Sequence, residues 1–498
     1  MEFIDVARRV NDGQGYLLGI KAYHVGGSTV LHQGLDERAP LYVLVISSLL
    51  RLGGNVPSLQ LVNVLLAAAA LAITVRTAQR LFGSTMAWLT AATLVASPVV
   101  FQRTVPPMSE ALALALSCLA LNLASRSAKD PSRKALAVAG MCLGLAYLTR
   151  PAALALAPAV MLADLVQPRA NRERWPRVAW LATGLAVVLI PTTLYSLAAR
   201  GTLSYSGQTY LYSVHKDADV LRNGFGSPIP PPLEFIRSNA DFVVAAILDN
   251  GVDYARLLFL DADWLWPLIW TVPIAVTGLL KPPADRRVAY LLIPAAANFA
   301  AYAATWANFQ ERYQLPTLVW LVPLLLCGTV RLIPFRVAAI PLVPTLAMVG
   351  AVFWWSPALI REYRGQHQYG DEPVGRRTDR GLTWTGPPRW VQDSDLDRLL
   401  EWVRSRTQPG DSLAAAQPWP VTYFTSRPTA LLPARLEPPV LERFITTYHL
   451  AYVVVDTRDR DRRDYVAPLQ ALASRGVTML SVGNYRVFTT TALWERPV

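Results

Sequence analysis

The charged side chains that could do chemistry in this sequence lie at the ends of long apolar runs. Glu110 opens one such run directly after Ser109, Arg150 closes another just before Pro151, and Arg312 precedes a third. A carboxylate in this position costs desolvation energy unless it is paired or faces water. An arginine there can bind a phosphate group. These residues are therefore candidate site residues, with helix capping by Ser109 and interfacial anchoring of the arginines as the alternatives.

The elements that must position these side chains form an apolar body and a polar tail. About an eighth of residues 1–355 are charged, but about a quarter of residues 356–498 are, which is the proportion found in ordinary soluble domains. This composition excludes collagen-like, disordered and disulfide-stapled proteins. Cys118, Cys142 and Cys327 all lie inside apolar runs, so we predict buried thiols.

The body contains ten apolar runs whose lengths approach that of a membrane-spanning helix. They lie near residues 58–76, 85–102, 108–125, 134–149, 151–166, 177–199, 263–280, 288–307, 313–330 and 337–355. Most Lys and Arg residues between these runs fall in one set of alternate loops, which the positive-inside rule makes cytoplasmic. Both termini and the loop 200–262 then face the outside. The net charge of +12 thus reflects topology, and no nucleic-acid partner is expected.

The regions outside the predicted spans have patterns of their own. Residues 1–56 are predicted to be an outer juxtamembrane segment, with an amphipathic surface helix at 2–11 and an interfacial or re-entrant helix at 40–52. Residues 356–392 are predicted to be a linker, and residues 393–498 a soluble α/β domain. The predicted helices of that domain are 395–406, 441–448 and 465–474, and its predicted strands are 412–415, 451–456, 477–482 and 485–489.

Several short motifs, in this order and on consistent sides of the predicted membrane, carry a family resemblance. They are Arg38 before Pro40-Leu41-Tyr42, Arg80-Leu81-Phe82-Gly83, Ser109-Glu110, Gly144 to Arg150, and Arg312 to Pro316. The chain resembles the GT-C-type bacterial membrane glycosyltransferases of the protein mannosyltransferase and aminoarabinose transferase kind. The resemblance implies a polytopic α-helical protein of the cytoplasmic membrane with about ten transmembrane helices. It also implies a C-terminal α/β domain on the periplasmic or extracellular side.

The resemblance further implies that a sugar moves from a polyprenyl-phosphate donor to a protein, glycan or lipid acceptor on the outer membrane face. A carboxylate would act as general base, and cations would stabilise the departing phosphate. The residues carried over are Glu110, Glu2 and Asp5 as catalytic candidates, Arg38, Arg150 and Arg312 for the donor phosphate, and Tyr42 and Tyr313 for the acceptor groove. A divalent metal is possible in the wider fold, although no ligand cluster in the sequence demands one.

One departure from the family pattern concerns the beginning of the chain. Phe3 occupies the place of a motif tyrosine, so the motif's aspartate and the preceding helix would fall before Met1. We therefore expect the native chain to begin upstream. Two other functions stay open at this point, a polytopic transporter or flippase and a catalytically impaired sugar-lipid-binding scaffold. A transporter would be expected to show internal repeats, which the sequence lacks.

Overall fold

The structure, a computed structural model, describes most of the chain. The described residues are 2–21, 29–33, 39–106, 108–126, 132–168, 171–200, 232–281, 286–305, 311–337, 340–367, 376–378, 381–383, 394–433, 436–459 and 462–494. Within them an N-terminal segment is followed by a helical body and an α/β tail. The helices up to residue 367 are α1 (Glu2–Asn11), α2 (Pro40–Arg51), α3 (Val56–Phe82), α4 (Ser84–Ala96), α5 (Pro98–Thr104), α6 (Glu110–Arg126), α7 (Arg133–Thr149), α8 (Leu156–Leu165), α9 (Asn171–Arg200), α10 (Pro232–Ser238), α11 (Ala240–Leu260), α12 (Val272–Leu280), α13 (Ala289–Thr305), α14 (Leu315–Leu332) and α15 (Leu342–His367).

Helices occupy all ten predicted spans, but the predicted number of membrane crossings is not confirmed. In the described residues three helices are long and apolar enough to cross a bilayer by themselves: Pro57–Phe82, Glu173–Ala198 and Arg312–Leu332. A fourth crossing is possible if α4 and α5, which meet at an angle of 63°, form one broken span. The break lies at Ser97-Pro98, where proline cannot continue the hydrogen bonding of the preceding helix.

Glycine allows two pairs of helices in the body to pack with their backbones close together. A Cβ atom on Gly184 of α9 would lie 1.9 Å from the carbonyl oxygen of Ala137 in α7. In the second pair, a Cβ atom on Gly278 of α12 would lie 1.8 Å from the carbonyl oxygen of Gly328 in α14. Small residues are the usual means by which membrane helices approach so closely.

The tail has one six-stranded sheet with the order β11-β12-β10-β8-β9-β2. Strands β8, β9, β10 and β2 run parallel to one another, whereas β11 and β12 form an antiparallel hairpin at one edge. The strands are β2 (Ile20–Lys21), β8 (Ser412–Ala415), β9 (Thr429–Leu431), β10 (Leu450–Asp456), β11 (Thr478–Val482) and β12 (Tyr485–Thr489), and the main helices are α16 (Ser394–Arg406), α17 (Pro418–Thr425), α18 (Pro438–Thr447) and α19 (Val466–Ala471).

In the described residues six short strands lie outside that sheet. They are β1 (Leu17–Leu18), β3 (His32–Gln33), β4 (Arg336–Val337) and β5 (Ile340–Pro341), with a further hairpin of β6 (Arg376–Thr378) and β7 (Gly381–Thr383). Single turns of 3-10 helix connect several elements of the body. Two of them matter for the site, Pro151–Ala155 before α8 and Glu311–Gln314 before α14.

The structure corrects three expectations about the regions between and after the spans. The predicted loop 200–262 contains the helix α11, whose charged residues interrupt the apolar run that would have marked it. The predicted linker 356–392 begins as a continuation of α15 to His367. In the tail, α17 and β9 were missed because both are short, although the other predicted elements are present with small shifts of their ends.

The N-terminal helix α1 is more buried than its amphipathic pattern predicts. Ile4, Val6 and Ala7 pack against Tyr42 and neighbouring residues of α2. The polar side chains of Asp5 and Arg9 are buried as well, with 6% and 7% of their surface exposed. Their burial is compensated because the two side chains form an ion pair with a distance of 3.2 Å between Nε and Oδ2.

Candidate functional site

Three of the predicted site residues meet at one point of the helical body. The Nη2 atom of Arg150 donates a hydrogen bond of 2.9 Å to Oε1 of Glu110. The Nε atom of Arg312 lies 3.1 Å from the same oxygen. The Glu110 side chain is 3% exposed, so the ion pairs are largely shielded from water. Such charge-assisted pairs are strong when they are buried and well oriented.

The second carboxylate oxygen of Glu110 is in a different situation. Oε2 is buried and has no hydrogen-bond partner among the described residues. A buried acceptor that is left without a donor costs free energy. This oxygen is therefore suited to accept a hydrogen bond from a hydroxyl group or a water molecule.

Two tyrosine rings surround the guanidinium groups. The guanidinium carbon of Arg150 lies 4.5 Å from the ring centroid of Tyr313, and that of Arg312 lies 5.3 Å from the same centroid. The ring of Tyr302 stacks on Tyr313, with 4.7 Å between centroids and an angle of 12° between planes. Aromatic faces attract cations and restrict their movement, so Tyr313 helps to orient both arginines.

Two cavities adjoin this cluster. A small one of about 20 Å³, close to the space of one water molecule, is lined by Glu110, Arg150, Arg312, Tyr302 and Asn298 among others. A larger groove of about 450 Å³ has an apolar lining, which includes Pro151, the residue that follows Arg150 in the sequence. Its lining residues are Pro151, Ala152, Leu154, Ala155, Ala157, Pro158, Met161, Leu185 and Ala301.

The ends of helices place the three charged side chains. Glu110 is the first residue of α6, where the helix dipole favours a negative charge. Arg150 follows α7 in an extended conformation, with φ −150° and ψ 117°, as expected of a residue before proline. Arg312 lies in the 3-10 turn that leads into α14. Each side chain thus extends from the terminus of a different rigid helix.

A hydrogen-bonded network links this cluster to α2 and α3. The hydroxyl group of Tyr42 donates to Oδ1 of Asn63 at 3.0 Å. The Asn63 amide donates to the carbonyl oxygens of Pro106 and, at 3.1 Å, of Met108. The Sδ atom of Met108 lies 2.8 Å from Nη1 of Arg312. Asn63 was not among the site residues predicted from the sequence, although an asparagine inside an apolar run is a signal that could have identified it.

The remaining predicted site residues lie elsewhere or outside the described residues. Asp5 accepts hydrogen bonds from Arg9 and, at 2.7 Å, from the backbone amide of Gly19. Glu2 is in α1, but its side chain is not among those described, and Arg38 lies outside the described residues. Tyr42, predicted for the acceptor groove, is 1% exposed, and Tyr313 is part of the cluster. The structure therefore brings together Glu110, Arg150, Arg312 and Tyr313.

A divalent metal does not fit the described part of this cluster. In the described residues no group of three His, Cys, Asp or Glu side chains is placed to hold a metal ion. One carboxylate faces two guanidinium groups here, and their positive charge opposes the binding of a cation. The same two groups favour an anion such as a phosphate.

Sequence and structure comparisons identify known proteins that resemble this chain. The sequence model of a family described as dolichyl-phosphate-mannose-protein mannosyltransferase matches residues 37–195. ArnT from Cupriavidus metallidurans bound to undecaprenyl phosphate has 12% sequence identity and a TM-score of 0.56, over 100% of this chain and 94% of that one. No match was found among curated protein sequences.

A second solved structure has the same fold. The archaeal oligosaccharyltransferase AglB from Archaeoglobus fulgidus, in complex with an inhibitory peptide and a dolichol-phosphate, has 13% identity and a TM-score of 0.59. The alignment covers 100% of this chain and 70% of AglB. The matched family and both structural neighbours are glycosyltransferases. These findings confirm the predicted resemblance to GT-C-type glycosyltransferases, and the chain shares the fold of ArnT and AglB.

Proposed function

We propose that this protein is an integral membrane glycosyltransferase, which moves a sugar from a polyprenyl-phosphate donor to an acceptor on the outer face of the cytoplasmic membrane. The tail would lie on that same, periplasmic or extracellular, side. One observation carries the proposal: the Glu110 carboxylate is held by two arginines through one oxygen, while its other oxygen is buried without a partner among the described residues.

The two arginines suit the phosphate of the donor. A guanidinium group donates several hydrogen bonds in a fixed plane, and this geometry matches phosphate oxygens. When the bond between sugar and phosphate breaks, negative charge develops on the phosphate, and fixed cations stabilise it. Arg150 and Arg312 occupy the positions from which this stabilisation would come, with Tyr313 restraining both.

The carboxylate suits the acceptor. In the proposed reaction Oε2 of Glu110 accepts a hydrogen bond from the acceptor hydroxyl group and then its proton. The hydroxyl oxygen forms a bond to the anomeric carbon of the sugar, and the carbon–phosphate oxygen bond breaks with its electron pair left on the phosphate. The apolar groove after Arg150 offers a lining that is compatible with the first isoprene units of the lipid.

Sugar transfer in reconstituted vesicles tests this function. We would supply radiolabelled polyprenyl-phosphate hexose or pentose and compare the protein with its Glu110→Gln and Arg150→Gln variants. Glu110→Gln should lower kcat by about 100-fold or more, as loss of a general base does. Arg150→Gln should lower kcat/KM for the donor by roughly 10- to 100-fold, since a hydrogen bond to a charged group is lost.

Arg80→Gln is the matched control, because Arg80 of α3 donates a hydrogen bond of 2.8 Å to Asn122 near the far end of α6, the helix that begins with Glu110. It should leave both kinetic constants unchanged. Equal transfer rates for all variants would refute the site assignment. Lipid translocation without sugar transfer from any donor would refute the enzyme and favour a flippase.

A further inference from the structure

Asn63 is a polar residue within the apolar helix α3, and both polar groups of its side chain take part in hydrogen bonds. It is 1% exposed. Its carbonyl oxygen accepts a hydrogen bond from Tyr42, and its amide nitrogen donates to the two carbonyl oxygens of Pro106 and Met108. An asparagine can donate two hydrogen bonds, and both go to the same short stretch of backbone.

That stretch of backbone leads directly into Glu110. Ser109 is 2% exposed, and its carbonyl oxygen accepts the first backbone hydrogen bond of α6, from Ala113 at 3.0 Å. The amide of Met108 donates to the carbonyl oxygen of Pro106 at 2.7 Å. Because Met108 and Ser109 directly precede Glu110, the position of their backbone bears on where the first residue of α6 presents its carboxylate.

The same stretch also contacts an arginine of the cluster, since Sδ of Met108 lies 2.8 Å from Nη1 of Arg312. Two members of the cluster thus depend on a backbone segment that Asn63 holds. On its other side Asn63 is held by Tyr42, whose ring packs edge-on against Phe3 of α1 at 5.2 Å between centroids.

We infer that Asn63 is a positioning residue, which holds the backbone of Pro106 and Met108 on α3 and thereby sets the Glu110 carboxylate against Arg150 and Arg312. The inference rests on the proposed role of Glu110 in sugar transfer. Asn63 lines neither of the two cavities beside the cluster, so we infer that it acts on the reaction through Glu110. A displacement of about 1 Å at a reacting group can lower a rate by about 100-fold.

The test compares Asn63→Ala with Asn122→Ala. Asn122 is a second buried asparagine, which links α6 to α3 through a hydrogen bond of 2.8 Å to Thr77 and another of 2.8 Å from Arg80. It lies twelve residues beyond Glu110, or roughly 18 Å along the helix. We expect kcat to fall by about tenfold or more in Asn63→Ala and to change by less than about twofold in Asn122→Ala.

A double mutant separates positioning from a general loss of stability. If Asn63 acts through Glu110, Asn63→Ala combined with Glu110→Gln should be no slower than Glu110→Gln alone. Asn63→Asp serves as a second variant, because it keeps the size of the side chain and the oxygen that Tyr42 contacts but places an acceptor opposite two carbonyl groups. It should lower kcat at least as much as Asn63→Ala.

Hydrogen exchange of the first-turn amides of α6 gives a readout that does not depend on activity. Exchange should accelerate in Asn63→Ala and not in Asn122→Ala. Equal exchange and equal kcat in the two variants, or multiplicative effects in the double mutant, would overturn the positioning role. If the parent protein transfers no sugar but exchange responds as expected, the proposed function fails and the structural role of Asn63 stands.

Discussion

At the scale of single residues, two buried carboxylates among the described residues of the body, Asp164 and Glu110, form ion pairs with arginines. They differ in the hydrogen bonds that their oxygens accept. Asp164 of α8 is fully buried and accepts hydrogen bonds from Arg177 at 2.8 and 2.7 Å and from Tyr290 at 2.5 Å. Both of its carboxylate oxygens therefore accept hydrogen bonds. In Glu110, by contrast, one oxygen contacts two arginines, and the other has no hydrogen-bond partner among the described residues. Asp164 therefore resembles a structural ion pair, and Glu110 a group awaiting a ligand.

Breaking the Asp164 cluster should destabilise the protein strongly. Arg177→Met leaves a buried carboxylate without its cation, which costs about 3–5 kcal/mol, whereas Tyr290→Phe removes one hydrogen bond and should cost about 1 kcal/mol. Thermal unfolding in detergent measures both. Arg256→Met is the control, because that guanidinium group is 67% exposed and its ion pair with Asp253 spans 3.9 Å. A Tm for Arg177→Met equal to that of the control would contradict the structural role.

At the scale of elements, the position of the site depends on how closely the helices approach. Helix α14 begins just after Arg312, and it packs on α12 through Gly278 and Gly328 without intervening side chains. The Cβ of any larger residue at Gly278 would overlap a backbone carbonyl, which cannot move aside as a flexible side chain can. The glycines thus define the distance between α12 and α14.

Gly278→Val should therefore lower stability by about 1–3 kcal/mol or prevent folding. Gly350→Val in α15 is the matched control, because no described atom beyond the adjoining backbone of its own helix lies within 4 Å of the position that its Cβ would take. Yield of monodisperse protein and Tm in detergent report the difference. Similar behaviour of the two variants would show that α12 and α14 are not in close contact.

At the scale of the whole molecule, the N-terminal segment joins the tail to the body. Its strand β2 forms the edge of the tail's sheet, parallel to β9. The carbonyl oxygen of Gly19 accepts a hydrogen bond of 2.7 Å from the amide of Thr429, and the amide of Gly19 donates one of 2.7 Å to Asp5. Asp5 thus connects α1, which packs on α2, to the sheet of the tail.

Asp5→Ala should loosen this connection. A hydrogen bond to a charged group is worth about 1.5–3 kcal/mol, so the amides of β9 should exchange roughly tenfold faster or more. The amides of the β11–β12 hairpin at the opposite edge of the sheet should be unaffected. Hydrogen exchange with mass spectrometry measures both regions. Asp12→Ala, at an exposed position of the same segment, is the control, and identical exchange in the two variants would rule out the connection.

Helix α1 shows what the spacing of apolar residues can predict and what it cannot. The spacing of Phe3, Val6 and Val10 correctly identified a helix over residues 2–11. It did not reveal that the polar face is also covered, because that depends on the tail folding back onto the segment. A hydrophobic pattern reports one buried face, and an ion pair such as Asp5–Arg9 allows the other to be buried as well.

The sequence alone determined the apolar body, the polar tail and the candidate residues Glu110, Arg150 and Arg312, since charges at the ends of apolar runs are costly and therefore informative. Only the tertiary structure decided that both arginines contact one oxygen of Glu110 and that Asn63 donates hydrogen bonds to the backbone just before it. Glu110 and Arg150 are 40 positions apart, and Asn63 contacts Met108 from 45 positions away. Local spacing carries no information about such contacts, because they arise from the packing of whole helices.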